Sequence, residues 1–274
     1  MHHGGSITIG AYEIACLCDG VLGVSTDKII HKQGELAKAA TLAQWGERAF
    51  CIDANCYLLT SRDGYVLIDA GGGPMLDPSC GQIRAALRNR GVRPDDIRTV
   101  LLTHLHDDQV YGLFDEGRAF FPNAEVLVSE VEYAFFTNPL ALRITPEANG
   151  SGFKVAERLT SIYNARIRSF SDSEVMKGVK ARLLPGHTPG HPGYHFQGEE
   201  EDLLVCGDIL HLGAIQASGP DVGLVYDIDF AQAAETRRAV LEEACSRKLI
   251  IAGGHIGFTR VEKLGHVFNL SAVD

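Results

Sequence analysis

Positive charge is scarce in this sequence: 25 Lys and Arg stand against 35 Asp and Glu, a formal net charge of −10 over 274 residues. Such a chain repels a polyanion on average, so nucleic acid is not an expected partner. The one modest basic cluster, Arg84, Arg88, Arg90 and Arg93, reads as a solvated helix face. Long hydrophobic runs are missing as well. No stretch approaches the roughly 18 apolar residues of a membrane span, so no membrane association is expected. The opening MHHGGSITIG has no charged leader followed by an apolar core, and no signal peptide is read there. The seven cysteines include no C-x-x-C pair. An odd, scattered set fits reduced thiols, and a cytoplasmic location is expected. No Pro/Gly/Ser-rich linker divides the chain, which is read as a single domain over 1–274. His2 and His3 are set aside from the site argument.

What is present is an alternation of short apolar runs and helical patterns. Tyr57–Thr60 and Tyr65–Ile68 flank Ser61-Arg62-Asp63-Gly64, a hairpin signal. Ile83–Asn89 reads as a helix stopped by Gly91 and Pro94. Thr99–Leu102 and Glu125–Val128 read as strands, and Ser129 with Glu132 has the spacing of a capping box opening a helix. Further strands are expected at 182–184 and 203–206. Asp229 is expected to cap a helix running to about Ser246, with Leu249–Ala252 as the last clear strand. The N-terminal ITIGAYEIACLCDGVLGVS suggests a strand pair, and the stretch from Ile30 to Trp45 a helix that covers the site or meets a partner subunit. Continuous apolar strands imply helices on both sheet faces, hence an α/β class.

Four histidine- or aspartate-bearing segments each follow one of these strands: THLHDDQVYG (103–112), PGHTPGH (185–191), GD (207–208) and GGH (253–255). Ligands of open α/β sheets collect beyond the carboxyl ends of strands, so these four loops are expected to converge. The residue types suit a metal. Neutral imidazole binds zinc and other first-row ions, and a carboxylate can bridge two of them. Each piece alone has a blander explanation: GHTPGH as a turn, Asp208 as a capping residue, His255 as a structural histidine. Together, in this order, they read as a metal site.

With these motifs the sequence resembles the metallo-β-lactamase superfamily, whose signature is H-x-H-x-D-H followed by three further ligand segments. The resemblance runs from about residue 50 to about residue 258. It implies a four-layered αββα sandwich with metals at one edge between the sheets. It implies that His104, His106 and His187 bind a first metal, that Asp108 and His255 bind a second, and that Asp208 bridges both. By the same resemblance Asp69, in LIDAGGG, supports the metal loop, His191 is structural or behind the ligands, and His211 lies beside the site. GDILHLGAIQ (207–216), YDIDFAQAAETRRAVLE (226–242) and FPNAEVLVSEVEY (121–133) are similar to the lactonase and methyl-parathion-hydrolase branch. One position departs from the signature: its last histidine is here Gln109. A neutral amide is a poor replacement for imidazole on zinc, so the second ion is expected to be weak.

The expected function is a metallohydrolase in which a hydroxide generated on zinc (one or two ions, with iron or manganese as other candidates) opens a lactone or cleaves a related ester. Asp108 orients that hydroxide and carries its proton. No G-x-S-x-G elbow is present for a serine mechanism. The alternatives are phosphotriester or β-lactam hydrolysis, or a mononuclear iron oxidoreductase of the persulfide dioxygenase kind. The expected partners are a small-molecule substrate and a second copy of the chain in a homodimer. Tyr111, Phe114, Phe120, Phe121, Tyr133, Phe135 and Phe136 line either a pocket or the core, with core packing favoured.

Overall fold

The computed structural model describes residues 5–46, 50–171 and 173–273; His2 and His3 lie outside them. Its frame is two seven-stranded sheets. The first holds β1 (Ser6–Ile9), β2 (Tyr12–Val24), β3 (Phe50–Ser61), β4 (Gly64–Ile68), β5 (Ile97–Leu101), β6 (Glu125–Ser129) and β7 (Ile167–Phe170). The second holds β8 (Glu174–Met176), β9 (Val179–Leu183), β10 (Pro192–Phe196), β11 (Leu203–Val205), β12 (Ile250–Gly253), β13 (Ile256–Leu264) and β14 (Val267–Ala272). In each sheet the strands lie side by side in chain order. β1 to β4 form an antiparallel meander, and β4, β5, β6 and β7 are parallel neighbours. In the second sheet only β11 and β12 pair in parallel.

Side-chain alternation explains the layering. Along β3, Tyr57 and Leu59 face the second sheet, meeting Tyr194, Phe196, Val205 and Phe258. Cys56 and Leu58 face the other way, into a core shared with the helix Ile83–Asn89 (α1) and the helix Ser151–Tyr163 (α2). On the far side, Leu204 and Ile251 pack against Val240, Leu241 and Ala244 of the helix Phe230–Arg247 (α3). Alternate residues of one strand are thus buried in two different cores. The result is the αββα sandwich. Among the described residues no helix is long and apolar enough to cross a membrane.

Several local expectations need correction. The hairpin turn is tighter than read, because Ser61 pairs with Gly64 across Arg62 and Asp63. Ser129 does precede a helix, Glu130–Phe136, but its side chain caps nothing; Glu132 is turned into the protein instead. Two strands, β13 and β14, follow the strand expected to be the last. Their outer halves are exposed, with Leu264 at 58%, so apolar patterning alone does not mark them. Ile30 belongs to a short strand, Ile29–His31, paired with Val222–Leu224, and the helix begins only at Glu35. The aromatic residues are core: Phe114, Phe121 and Phe136 are buried, and Tyr111, Phe120, Tyr133 and Phe135 pack against them.

Candidate metal centre

The four polar loops meet at the edge between the two sheets. β5 of the first sheet delivers residues 103–112; β9, β11 and β12 of the second deliver His187, Asp208 and His255. At the centre stands Asp208. Its Oδ2 lies 3.1 Å from His255 Nε2, 3.4 Å from His211 Nε2, 3.5 Å from His104 Nε2 and 3.6 Å from His187 Nε2. His106 Nδ1 is 3.0 Å from His187 Nε2. His104, His106 and His187 each offer a nitrogen within 4.8 Å of the others, as do the ligand atoms of His104, Asp108 and Asp208 and those of His187, Asp208 and His211.

The surroundings aim the imidazoles. Thr103 Oγ1 donates to Asp69 Oδ2 at 2.8 Å, and its oxygen then accepts from His104 Nδ1 at 3.1 Å. Asp69 also accepts the Thr103 amide. Its role is thus to hold the first loop, from a residue with φ +57°. His255 Nδ1 donates to Asp53 O at 2.7 Å, and His187 Nδ1 to Asp227 Oδ1 at 2.9 Å. Each of these bonds commits the Nδ1 proton outward and turns Nε2 inward, where it is a lone pair whenever the ring is neutral. His191 is different. Its Nε2 accepts the Asp208 amide at 3.0 Å, so it fixes the aspartate from behind. His211 stacks on His255 with ring centroids 4.8 Å apart.

These residues suit a cation. His104 Nε2 is buried with no hydrogen-bond partner, a state that costs about 1–3 kcal/mol unless something satisfies it. Burial, reinforced by neighbouring histidines, holds His104 and His106 well below the ordinary histidine range, as neutral imidazoles with ligand lone pairs. Burial opposes ionisation of Asp208, yet His255 and His104 outweigh it and keep the carboxyl well below its usual range. His255 is pushed up to about 9: burial works against its charged form, and Asp208 more than compensates. Burial and the Asp208 charge together raise Asp108 to about 7.

Gln109 fills the gap between the two aspartates. Its Nε2 lies 3.1 Å from Asp108 Oδ2 and 3.2 and 3.3 Å from the two oxygens of Asp208, while its Oε1 is buried without a partner.

The residues 50–255 match the model of the metallo-beta-lactamase superfamily. The chain belongs to that superfamily. An N-acyl homoserine lactonase of Bacillus cereus is 25% identical over 172 residues, 55% of this chain and 60% of that protein. The chain therefore spans less than two thirds of that relative's length. A solved structure described as a hydrolase, AbOPH, in the beta-lactamase superfamily is 26% identical, with TM-score 0.88 over 99% of this chain and 97% of its own. AidC, described as a dizinc quorum-quenching lactonase in complex with a product, shares the fold at 22% identity, with TM-score 0.87 over 99% and 97% of the two chains.

Sequence patterning missed three residues that shape this centre. Glu132, fully buried, accepts from the Leu105 amide, from Thr188 Oγ1 and from the Gly190 amide at 3.0, 2.7 and 3.1 Å. It thereby joins the loop of His104 and His106 to the loop of His187 and His191. Asp227 holds His187, and Arg237 holds Asp227. A glutamate three residues after a serine, at the start of a helix, carries no mark that separates a clamp from a cap. An arginine inside a helical run gives no sign of being buried.

Proposed function

We propose that this chain, as a single domain, is a metal-dependent hydrolase that opens a lactone or cleaves a related ester. The observation that carries the reading is the ring of four histidine nitrogens around Asp208 Oδ2, with the His106–His187 pair beside it. The name of the Bacillus cereus relative and the description of AidC favour a lactone as substrate and zinc as the metal. His104, His106 and His187 would hold one ion, Asp208 would touch it and a second, and Asp108 and His255 would complete the second position. A divalent ion held by these residues would supply a water acidified to a pKa of about 7 and a Lewis acid for an acyl oxygen.

The chain's own residues manage the proton. Asp108 would orient the attacking water, take its proton and pass it to the leaving alkoxide. Gln109 tethers the Asp108 and Asp208 carboxylates through its amide. Where the family signature has an imidazole this chain offers an amide, so the second ion is the weaker.

The test is acid release from a γ-lactone with an acyl chain, an aromatic lactone, an aryl ester, a phosphotriester and a β-lactam, with and without chelator. Chelator-sensitive turnover of a lactone or ester is expected. Turnover of the phosphotriester or β-lactam alone overturns the substrate class. Bound iron with oxygen uptake and no hydrolysis overturns the reaction.

A further inference from the structure

Behind His187 runs a buried chain of charge. Arg237 is completely inaccessible, an unusual place for a guanidinium. Its Nε donates to Ile209 O at 2.7 Å, and its Nη1 to Pro220 O and Val222 O at 2.9 and 3.0 Å. Its Nη2 lies 3.5 Å from Asp227 Oδ2, and the other oxygen of Asp227 takes the Nδ1 proton of His187. The packing around the carboxylate is tight: a Cβ on Gly223 would collide with the Phe230 ring and lie 2.8 Å from Asp227 Oδ2.

The Asp227 carboxylate is thus held at both ends, one oxygen facing Arg237 Nη2 and the other accepting the His187 Nδ1 proton. A carboxylate free to swing would leave His187 Nδ1 without its acceptor and the ring free to turn. The same guanidinium pins the carbonyls of Ile209, one residue from Asp208, and of Val222. Those bonds set the place from which its Nη2 reaches Asp227.

We infer that Arg237 is a positioning residue for the metal centre, acting through Asp227 to fix the tautomer and orientation of His187. The inference rests on reading His187 as a ligand. Outer partners of ligating histidines are typically worth 10–100-fold in metal affinity. Lysine cannot replace this fork, because it is a point charge without the guanidinium's geometry.

The experiment is zinc affinity of the folded full-length chain, by competition with a chromogenic chelator, for the parent, Asp227→Asn, Arg237→Lys and the double variant. Each single change is expected to weaken zinc by about 10–100-fold. The double variant is expected to be no weaker than the worse single, since both act along one path. A merely structural Arg237 would lower metal-free thermal stability and leave zinc affinity unchanged, which overturns the inference; so do effects that multiply. Should Arg237→Lys fail to fold, Asp227→Asn, nearly isosteric, carries the test. Nitrogen NMR of the metal-free histidines separates the two readings. An unshifted His187 tautomer in Asp227→Asn overturns the inference alone. A shifted tautomer with zinc affinity unchanged removes His187 from the ligands and overturns the functional reading.

Discussion

The carboxylate of Glu132 accepts the main-chain amide of Leu105 at 3.0 Å, which fastens a helix to the one residue lying between His104 and His106. Its other oxygen holds Thr188 and Gly190. Two loops of the candidate metal centre, from two different sheets, therefore share one buried anchor.

Substitution of Glu132 by Gln tests that anchor through its pH dependence. Burial is the largest influence on Glu132, outweighing its three donors and pushing it up to about 7 from an ordinary 4.5. A raised carboxyl means that the folded state binds the proton more tightly. Its stabilising effect is complete below about pH 4.5 and is lost as pH rises through about 7. Near pH 5 the parent should exceed Glu132→Gln by about 1–3 kcal/mol, because Gln leaves one amide donor unmatched. Towards pH 8 the gap should shrink or reverse, by a change on the order of 3 kcal/mol. Denaturant unfolding of the metal-free proteins measures both. Parallel stability curves from pH 5 to 8 would refute the shift.

Much of this centre is written in short motifs. His104, His106, His187, Asp208 and His255 each sit two to five residues past the end of an apolar strand, and such strands are legible because consecutive side chains are buried in separate cores. The αββα layering follows from the same runs together with the family resemblance. What is not legible depends on tertiary direction. Glu132 has the spacing of a cap and a different job. Arg237 sits in a helix whose pattern gives no sign of a buried charge. β13 and β14 are half-exposed, so their residues show no sustained apolar alternation.

Gln109→His should raise the affinity of the second ion by at least tenfold. The amide between Asp108 and Asp208 donates hydrogen bonds at 3.1–3.3 Å, whereas an imidazole there supplies a lone pair to a metal. Metal content after dialysis against limiting zinc is the measurement. Two ions retained equally by parent and variant would refute the weakening.

Asp208→Asn and His106→Ala should both lose metal retention and turnover. Asp208 is the one carboxylate within 3.6 Å of four histidine Nε2 atoms among the described residues. Asn keeps its shape without its charge, so mutual repulsion among any charged imidazoles goes uncompensated. Elemental analysis of the purified variants checks the first loss and the substrate panel the second. A metal-free His106→Ala protein with parental activity would sink the mechanism.

The glycine before His255 gives a sharper geometric test. A Cβ on Gly254 would collide with Asp208 Oδ1 and lie 3.0 Å from Gln109 Nε2. Its backbone is not in the left-handed region, so alanine brings no conformational strain of its own. Gly254→Ala should therefore fold while displacing the Asp208 carboxylate, lowering zinc affinity by tenfold or more. Gly257→Ala, where a Cβ meets nothing within 4 Å, is the matched control. It should leave zinc affinity unchanged and stability equal or raised by about 0.4–1 kcal/mol. If Gly254→Ala binds zinc as the parent does, Asp208 Oδ1 is not held where a second ion needs it, and the bridging role assigned to this aspartate fails.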